Sequence, residues 1–167
     1  RGGGGNDTLD GGAGFDWVDY RDASGAVTVN LLEGRSSGLD GSDTLNGSDT
    51  LSNFEAIRGG DFNDSLTGDG GDNFLRGGLG NDMLDGKGGF DWADYKDATS
   101  GVTVILTDST IANGSTGGTA TGGDGNDTLI NIEAIRGGNY NDMLKGNSSD
   151  NFLRGGQGND TLDGGAG

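Results

Sequence analysis

The chain has 167 residues, of which 39 are Gly, and it contains no Pro, Cys or His. Without Cys there is no disulfide framework, and without His or Cys there is no ordinary catalytic triad or thiol nucleophile, so we predict that it is not an enzyme. The formal net charge of −17 argues against a nucleic-acid partner, and no apolar run approaches the length of a membrane span.

The composition also limits how the chain folds. Only 29% of the residues are apolar, and low hydrophobicity with high net charge is typical of chains that cannot offset their conformational entropy unaided. The regular spacing of Gly and Asp argues against plain disorder. Both observations are satisfied if cations complete the fold, and roughly eight divalent ions would cancel the formal charge. Ion binding and folding would then be one event.

Two nine-residue units open the chain, Gly2–Asp10 and Gly11–Asp19, with Gly and Asp at matching positions. The pattern then changes between Tyr20 and about Gly38. Within that segment Val27–Leu31 alternates apolar and polar residues, which predicts a half-buried strand.

The nine-residue unit returns in altered form after this segment. Gly38–Asn46 carries Asp43 and Leu45 at the expected positions, and Gly47–Leu51 is a shortened unit that contains Asp49. The stretch Asn53–Arg58 keeps the frame but has Glu55 where the other units have Asp.

Four complete units follow in succession from Gly59 to Asp94. The third, Gly77–Asp85, fits the pattern G-G-x-G-x-D-x-U-x at every fixed position, where U is a large apolar residue. We number the unit one to nine from its first Gly. The glycines allow backbone angles closed to other residues, the Asp at position six supplies an anionic oxygen, and the x-U-x tail predicts a short strand with one inward side chain.

From Tyr95 onward the same order of segments repeats. Val102–Leu106 matches the earlier strand, and the Ser/Thr/Gly-rich stretch Thr107–Thr121 is predicted to be a surface loop. A complete unit, Gly122–Ile130, is followed by Asn131–Arg136, which again has Glu at position six, and by three more units over Gly137–Asp163.

A longer period lies above the nine-residue one. Arg76–Tyr95 repeats Arg1–Tyr20 at an offset of 75 residues, and Arg154 repeats Arg76 at an offset of 78. We therefore predict one continuous solenoid over residues 1–167, with super-repeats at about 1–75 and 76–153 and the start of a third at 154–167. No signal peptide is visible, and the repetition is typical of a segment of a longer array.

Two units complete one coil of 18 residues, so residues 18 apart are expected to stack on neighbouring rungs roughly 4.8 Å apart. This places Leu66 on Leu84 and Leu75 on Ala93 in inward apolar columns. It also stacks Asp64 on Asp82 and Asp142 on Asp160. Carboxylates this close repel each other unless a cation lies between them, which is the strongest argument from the residues for metal in the turns.

The units resemble the RTX (repeats-in-toxin, haemolysin-type) family of calcium-binding nonapeptide repeats. The resemblance implies an all-β fold, a right-handed parallel β-roll with 18-residue coils and Ca²⁺ between the turns, roughly 6–10 ions in this chain. In that family Asp side chains and carbonyls of the glycine region hold the ions. By this resemblance the candidate ligands are Asp7, Asp16, Asp43, Asp49, Asp64, Asn73, Gly77, Gly80, Asp82, Asp91, Asp127, Asp142, Asn151, Gly155, Gly158 and Asp160.

The candidate sites differ in strength. Asp64 with Asp82, and Asp142 with Asp160, are the best-supported pairs. Asn73 and Asn151 offer a carbonyl oxygen without charge, so their sites are expected to be weaker. At motif position four, Phe62, Tyr140 and Ser149 replace the expected Gly, which argues against full occupancy there.

The resemblance also implies a place and a role. Secreted RTX proteins leave the cell unfolded by type I export and fold outside it, so we expect an extracellular or bacterial cell-surface location. The long period favours a structural stalk, adhesin or fibre segment. The alternative is the C-terminal folding and secretion module of a secreted enzyme. The predicted partners are calcium ions, other copies through head-to-tail or lateral association, and a surface polysaccharide.

Two further patterns concern the outer surface. The spacing of 18 residues predicts the ion pairs Arg1–Asp19, Arg76–Asp94 and Lys145–Asp163. Strand alternation points Trp17 and Trp92 outward. The aromatic sets Phe15/Trp17/Tyr20 and Phe90/Trp92/Tyr95 then form either a platform for a sugar or protein partner, or packing under the segments that follow them. An ice-binding surface is not expected, because no Thr occupies motif position three.

Overall fold

A single apolar side chain, turned inward from the middle of each short strand, organises the fold. The computed structural model describes residues 1–38, 47–110 and 116–167, and in these ranges the chain forms 17 strands. The described ranges contain no helix that is long and apolar enough to cross a membrane. The predicted all-β fold is confirmed.

The strands form two sheets. Sheet A has eleven strands, in the order β1 (Thr8–Asp10), β5 (Thr50–Ser52), β4 (Arg35–Gly38), β3 (Val27–Asn30), β7 (Ser65–Thr67), β9 (Met83–Asp85), β13 (Gly125–Ile130), β12 (Thr116–Gly122), β11 (Val102–Thr110), β15 (Met143–Lys145) and β17 (Thr161–Asp163). Sheet B has six strands, in the order β16 (Phe152–Arg154), β14 (Ala134–Arg136), β10 (Trp92–Asp94), β8 (Phe74–Arg76), β6 (Ala56–Arg58) and β2 (Trp17–Asp19).

Stacking at 18 residues is confirmed by the strand register. Leu66 pairs with Leu84 in sheet A, and Ile57 pairs with Leu75, which pairs with Ala93, in sheet B. These inward side chains are fully buried and belong to one apolar cluster between the sheets. One residue in nine is enough for this core because every rung adds to the same two columns.

The two segments that break the nine-residue pattern are β-hairpins inserted into sheet A. β3 and β4 pair antiparallel, and β3 also pairs parallel with β7. β11 and β12 pair antiparallel, β12 continues antiparallel onto β13, and β11 pairs parallel with β15. Each hairpin therefore interrupts the nine-residue pattern in sheet A, while the parallel pairing of sheet B continues past it.

The prediction of a surface loop over Thr107–Thr121 is wrong for the part of it that the structure describes. Strand β11 runs on to Thr110, and β12 covers Thr116–Gly122. Thr has high strand propensity, and Gly118 in β12 lies where a Cβ would be 2.8 Å from the Ile105 carbonyl oxygen. The Ser, Thr and Gly residues that suggested a loop instead suit a hairpin whose strands approach each other closely.

Successive turns stack as closely as the strands. The Leu79 N–H donates to the Gly60 carbonyl at 3.0 Å, and a Cβ on Gly78 would lie 2.0 Å from the same oxygen. Gly78 has a φ of +110°, which disfavours any side chain. In contrast, Gly70 has no heavy atom within 4 Å of its Cβ position and no positive φ.

We predict that Gly78→Ala lowers the free energy of unfolding by about 1–3 kcal/mol through backbone strain, and by more through the clash with Gly60. Gly70→Ala is the matched control and is expected to be neutral or slightly stabilising, because it only restricts the unfolded chain. Chemical denaturation of both variants at saturating calcium measures the difference. Equal losses of stability would show that turn stacking does not constrain Gly78.

Candidate metal sites in the turns

The side chain at motif position six precedes every parallel strand of the nine-residue pattern, and these side chains form one column beside each sheet. Most of them are buried: Asp82 is 2% exposed and Asp91 is 0% exposed. The sheet A column contains Asp7, Asp49, Asp64, Asp82, Asp127, Asp142 and Asp160, and the sheet B column contains Asp16, Glu55, Asn73, Asp91, Glu133 and Asn151. The predicted ligand Asp43 lies outside the described residues.

Hydrogen bonds link several neighbouring members of each column. The Asp64 N–H donates to Asp82 Oδ1 at 2.8 Å, and the Asp142 N–H donates to Asp160 Oδ1 at 3.0 Å. In the other column the Asn73 N–H donates to Asp91 Oδ1 at 2.8 Å. The predicted stacking of these pairs is confirmed. One carboxylate oxygen of each acid is thus used to hold the next rung.

Strand pairing also stacks acids that a hairpin segment separates in the sequence, which the sequence alone does not show. The Asp82 N–H donates to Asp127 Oδ1 at 3.0 Å although the two residues are 45 apart. The Asp91 N–H donates to Glu133 Oε2 at 3.0 Å over 42 residues. In sheet A the strands of the second hairpin lie between Asp127 and Asp142, and there the Val102 N–H donates to Asp142 Oδ1 at 2.9 Å.

Two kinds of turn are distinguished by what the remaining side-chain oxygen contacts. In the first kind, which we call closed turns, the N–H at position two donates to the side chain at position six of the same unit. Gly60 donates to Asp64 Oδ2 at 2.7 Å, and Asp69 donates to Asn73 Oδ1 at 2.7 Å. The closed turns are those that start at Gly59, Gly68, Gly137 and Gly146.

In the second kind, which we call open turns, positions two and four both have positive φ. In the turn that starts at Gly86, Lys87 has a φ of +74° and its N–H donates to Asp85 Oδ1 of the preceding unit, so it does not bond Asp91. Gly77 lies where a Cβ would be 2.0 Å from Asp82 Oδ2, which explains the Gly at position one. The open turns are those that start at Gly2, Gly11, Gly77, Gly86 and Gly155.

The open turns contain buried anionic oxygens without a hydrogen-bond donor. The Oδ2 atoms of Asp7, Asp82 and Asp91 are buried, and no donor among the described residues reaches them. Burial, followed by the charges of Asp127 and Asp64, raises the pKa of Asp82 to about 7. Burial, and next the charge of Glu133, raises the pKa of Asp91 to about 7. A cation beside these oxygens would offset both the cost of burying the charges and the repulsion between them.

The arrangement fits a hard divalent cation that takes part of its ligands from the backbone. No three acidic side chains of the described residues come together to hold a metal by themselves. Carbonyl oxygens lie close to the carboxylates, however. The position of a Cβ on Gly59 would be 2.3 Å from Asp64 Oδ2 and 2.4 Å from the Gly77 carbonyl oxygen. Ca²⁺ commonly combines carboxylate and backbone carbonyl ligands in this way.

The predicted glycine ligands all lie in open turns. Gly77 and Gly155 are at position one, each packed against the carboxylate of its own unit. Gly80 and Gly158 are at position four, with φ of +126° and +111°. The sequence carried part of this distinction, since Phe62, Tyr140 and Ser149 at position four belong to closed turns.

Asp49 and Asp127 form a third class, which sequence reasoning missed. Their second oxygens accept hydrogen bonds from tyrosines that begin the hairpin segments: Tyr20 Oη lies 3.0 Å from Asp49 Oδ2, and Tyr95 Oη lies 2.9 Å from Asp127 Oδ2. Burial, and next the charge of Asp127, raises the pKa of the Tyr95 hydroxyl well above its ordinary value.

The aromatic side chains resolve into two groups. Tyr20 and Tyr95 are buried under the hairpins, as the packing alternative predicted. Trp17 and Trp92 lie on the outer face of sheet B, as strand alternation predicted. There Trp92 stacks on Phe74 with ring centroids 5.0 Å apart and an interplanar angle of 11°. Because these rings cover each other's faces, they form a packed outer row rather than an open flat platform.

The predicted ion pairs between residues 18 apart are confirmed. Arg1 and Asp19 lie 3.2 Å apart, Lys145 and Asp163 lie 3.5 Å apart, and Arg76 contacts Asp94 directly. Arg76 is the most buried of these cations and its guanidinium also lies 5.1 Å from the centre of the Trp17 ring. These contacts join neighbouring rungs, those of Arg1 and Arg76 at sheet B and that of Lys145 in sheet A.

Comparison with known proteins agrees with the geometry. The family model for the RTX calcium-binding nonapeptide repeat matches four times, at residues 1–19, 58–93, 114–130 and 136–167, which together cover more than half of the chain. A comparison with curated proteins gives no match. The family match agrees with the two facing sheets and with the stacked turns and their unpaired carboxylates. The chain belongs to the RTX calcium-binding nonapeptide repeat family.

Proposed function

We propose that this chain is a calcium-folded structural segment of a secreted or cell-surface protein, serving as part of a stalk, adhesin or fibre. RTX repeats bind calcium, and proteins that carry them are typically secreted. The observation that carries the proposal is the set of buried carboxylate oxygens in the open turns that no protein group neutralises. A rigid element that forms only where calcium is abundant suits a role outside the cell.

The open turns are where we place the ions first. Asp7, Asp16, Asp82, Asp91 and Asp160 would supply the charged ligands, together with carbonyls of the glycine turns. Bound calcium supplies positive charge between stacked carboxylates and so removes their repulsion. The closed turns already satisfy their position-six side chains, so we rank Asp64, Asn73, Asp142 and Asn151 lower.

This ranking refines the sequence-based expectation that Asp64 and Asp142 are equal partners of Asp82 and Asp160. The roughly 6–10 ions that the resemblance implies would require ions at closed turns as well as at the five open ones. The ion count therefore bears directly on the distinction between the two kinds of turn.

The proposal also includes lengthwise association. The outermost strands are β1 and β17 in sheet A and β2 and β16 in sheet B, and unpaired strand edges template further pairing. Leu162 in β17 continues the inward column beyond Leu144 and is 49% exposed. A head-to-tail contact of this kind is heterologous and propagates into a filament.

The alternative role, a C-terminal folding and secretion module of a secreted enzyme, uses the same calcium chemistry. The regular super-repeat favours the structural role, because an accessory module needs few repeats. The sequences on either side of residues 1–167 in the parent protein decide between the two: further copies support an array, and a catalytic domain supports the module. Binding of a surface polysaccharide stays a prediction.

We predict that the chain is disordered in chelator and gains β structure in millimolar calcium, because its buried carboxylates repel each other without cations. Circular dichroism across a calcium titration measures this. Sodium chloride at matched ionic strength controls for simple screening, and Mg²⁺ should substitute poorly because it requires strict octahedral geometry. A fully folded metal-free protein would refute the proposed function.

We predict that Asp82→Asn weakens calcium binding more than Asp64→Asn does. The two residues are adjacent in one column, but Asp82 Oδ2 has no donor, whereas Asp64 Oδ2 accepts the Gly60 N–H. Calorimetric titration of calcium into both variants compares the affinity lost with an ion ligand, Asp82, with the affinity lost with a residue that already accepts an internal hydrogen bond, Asp64. If the two affinities fall equally, the distinction between open and closed turns does not govern binding.

We predict that the folded protein associates end to end at saturating calcium and that Leu162→Lys suppresses this, because a charged edge strand resists pairing. Met83→Lys is the control: Met83 is 40% exposed on the outer face of β9, which has a neighbour on each side in sheet A. Light scattering over a concentration series measures the association. Strictly monomeric protein at high concentration would exclude it for this segment.

A further inference from the structure

The two hairpins place a tyrosine hydroxyl where other units leave a carboxylate unpaired. Tyr95 is 7% exposed, and its hydroxyl donates to Asp127 Oδ2 at 2.9 Å. Asp127 is itself 6% exposed, and its other oxygen accepts the Asp82 N–H. Each carboxylate oxygen of Asp127 therefore accepts a hydrogen bond from a protein group.

The first super-repeat builds the same arrangement from different residues. Tyr20 is 4% exposed, and its hydroxyl lies 3.0 Å from Asp49 Oδ2. Ser36 in β4 adds a second hydroxyl 3.2 Å from the same oxygen and 2.7 Å from Tyr20 Oη. The other oxygen of Asp49 accepts the Asp7 N–H at 3.0 Å.

The neighbouring acid of the second hairpin is also occupied. Asp124, in the turn between β12 and β13, accepts bonds to Oδ1 from the Thr99 N–H at 2.9 Å and the Thr99 hydroxyl at 2.8 Å. Its carbonyl accepts the Gly80 N–H at 2.6 Å. The Asp124 oxygens on the side of the open turn that starts at Gly77 therefore already accept hydrogen bonds from protein groups.

We propose that the Tyr20 and Tyr95 hydroxyls take the place of a calcium ion at Asp49 and Asp127, so that each hairpin is a calcium-free interval in the ladder of turns. The inference rests on the proposed calcium-dependent fold. Asp49 and Asp127 are then structural residues rather than ligands, although their place in the repeat is that of a ligand. Each hairpin then separates two runs of stacked acids in sheet A, and its first strand starts the next run in register, because the Val27 N–H donates to Asp64 and the Val102 N–H donates to Asp142.

The primary test counts ions. Equilibrium dialysis at saturating calcium is carried out on the full chain, on Asp127→Asn and on Asp82→Asn. The Asn side chain at position 127 keeps a carbonyl oxygen that can accept the Asp82 N–H, and the Tyr95 hydroxyl can reorient toward the new side chain. We expect Asp127→Asn to bind as many ions as the parent chain and Asp82→Asn to lose one. Loss of an ion from Asp127→Asn would overturn the proposal.

A second pair of variants applies even if Asp127→Asn does not fold. Tyr95→Phe removes the one side-chain hydroxyl of the described residues that bonds Asp127 Oδ2, whereas Tyr20→Phe leaves Ser36 beside Asp49. A hydrogen bond to a charged group changes the folding equilibrium by roughly tenfold or more. We expect Tyr95→Phe either to bind one additional ion or to need more calcium to fold than Tyr20→Phe does.

The outcomes separate this inference from the proposed function. If calcium neither binds nor folds the parent chain, the proposed function fails. If the parent chain binds calcium and Tyr95→Phe matches it in both ion count and folding midpoint, only the substitution of hydroxyl for calcium fails. Circular dichroism in calcium confirms that each variant counted is folded.

Discussion

The structure depends on buried carboxylates that stack at the spacing of a β-sheet. Where acids stack on neighbouring rungs, the position-six N–H of one donates to the carboxylate of the next, as Asp64 does to Asp82, so the same contact that sets the register brings negative charges together. One oxygen of each acid is satisfied by the backbone, and the second needs a proton donor or a cation. A buried charge without either is among the most costly groups in a protein.

The chain satisfies the second oxygen in different ways, and this divides the turns. A closed turn keeps position two out of the positive-φ region, so that its N–H reaches the side chain, as Gly60 does to Asp64. An open turn places glycine or Lys87 at positive φ, and its carboxylate faces other oxygens. In sheet A an open turn stacks on each closed turn: open turn 77–81 lies on closed turn 59–63, and open turn 155–159 lies on closed turn 137–141. The proposed calcium dependence thus rests on backbone conformation as much as on acidic residues.

The outer surface of sheet B provides stability that does not depend on metal. The outward row of Phe74 and Trp92 covers small residues: Ala56 and Ala134, in the neighbouring strands, are fully buried. Arg76 joins Trp17, Asp94 and Asp97 across successive rungs. Such stacked aromatic and ionic pairs add modest energy each, about 0.2–1 kcal/mol, and they favour one register over its neighbours.

The sequence by itself determined the period, the inward columns and the identity of the acids, because a nine-residue repeat of Gly, Asp and one apolar residue admits few regular structures. Leu66 on Leu84 and Arg1 beside Asp19 follow from counting alone. Counting could not place Asp127 on Asp82, since a hairpin of irregular length separates them and only strand pairing brings them together. Nor could it show that Gly71 adopts a closed turn although it is glycine, or that Tyr95 satisfies Asp127. Those outcomes are set by φ angles and long-range hydrogen bonds, which depend on the neighbouring rung and not on the local sequence.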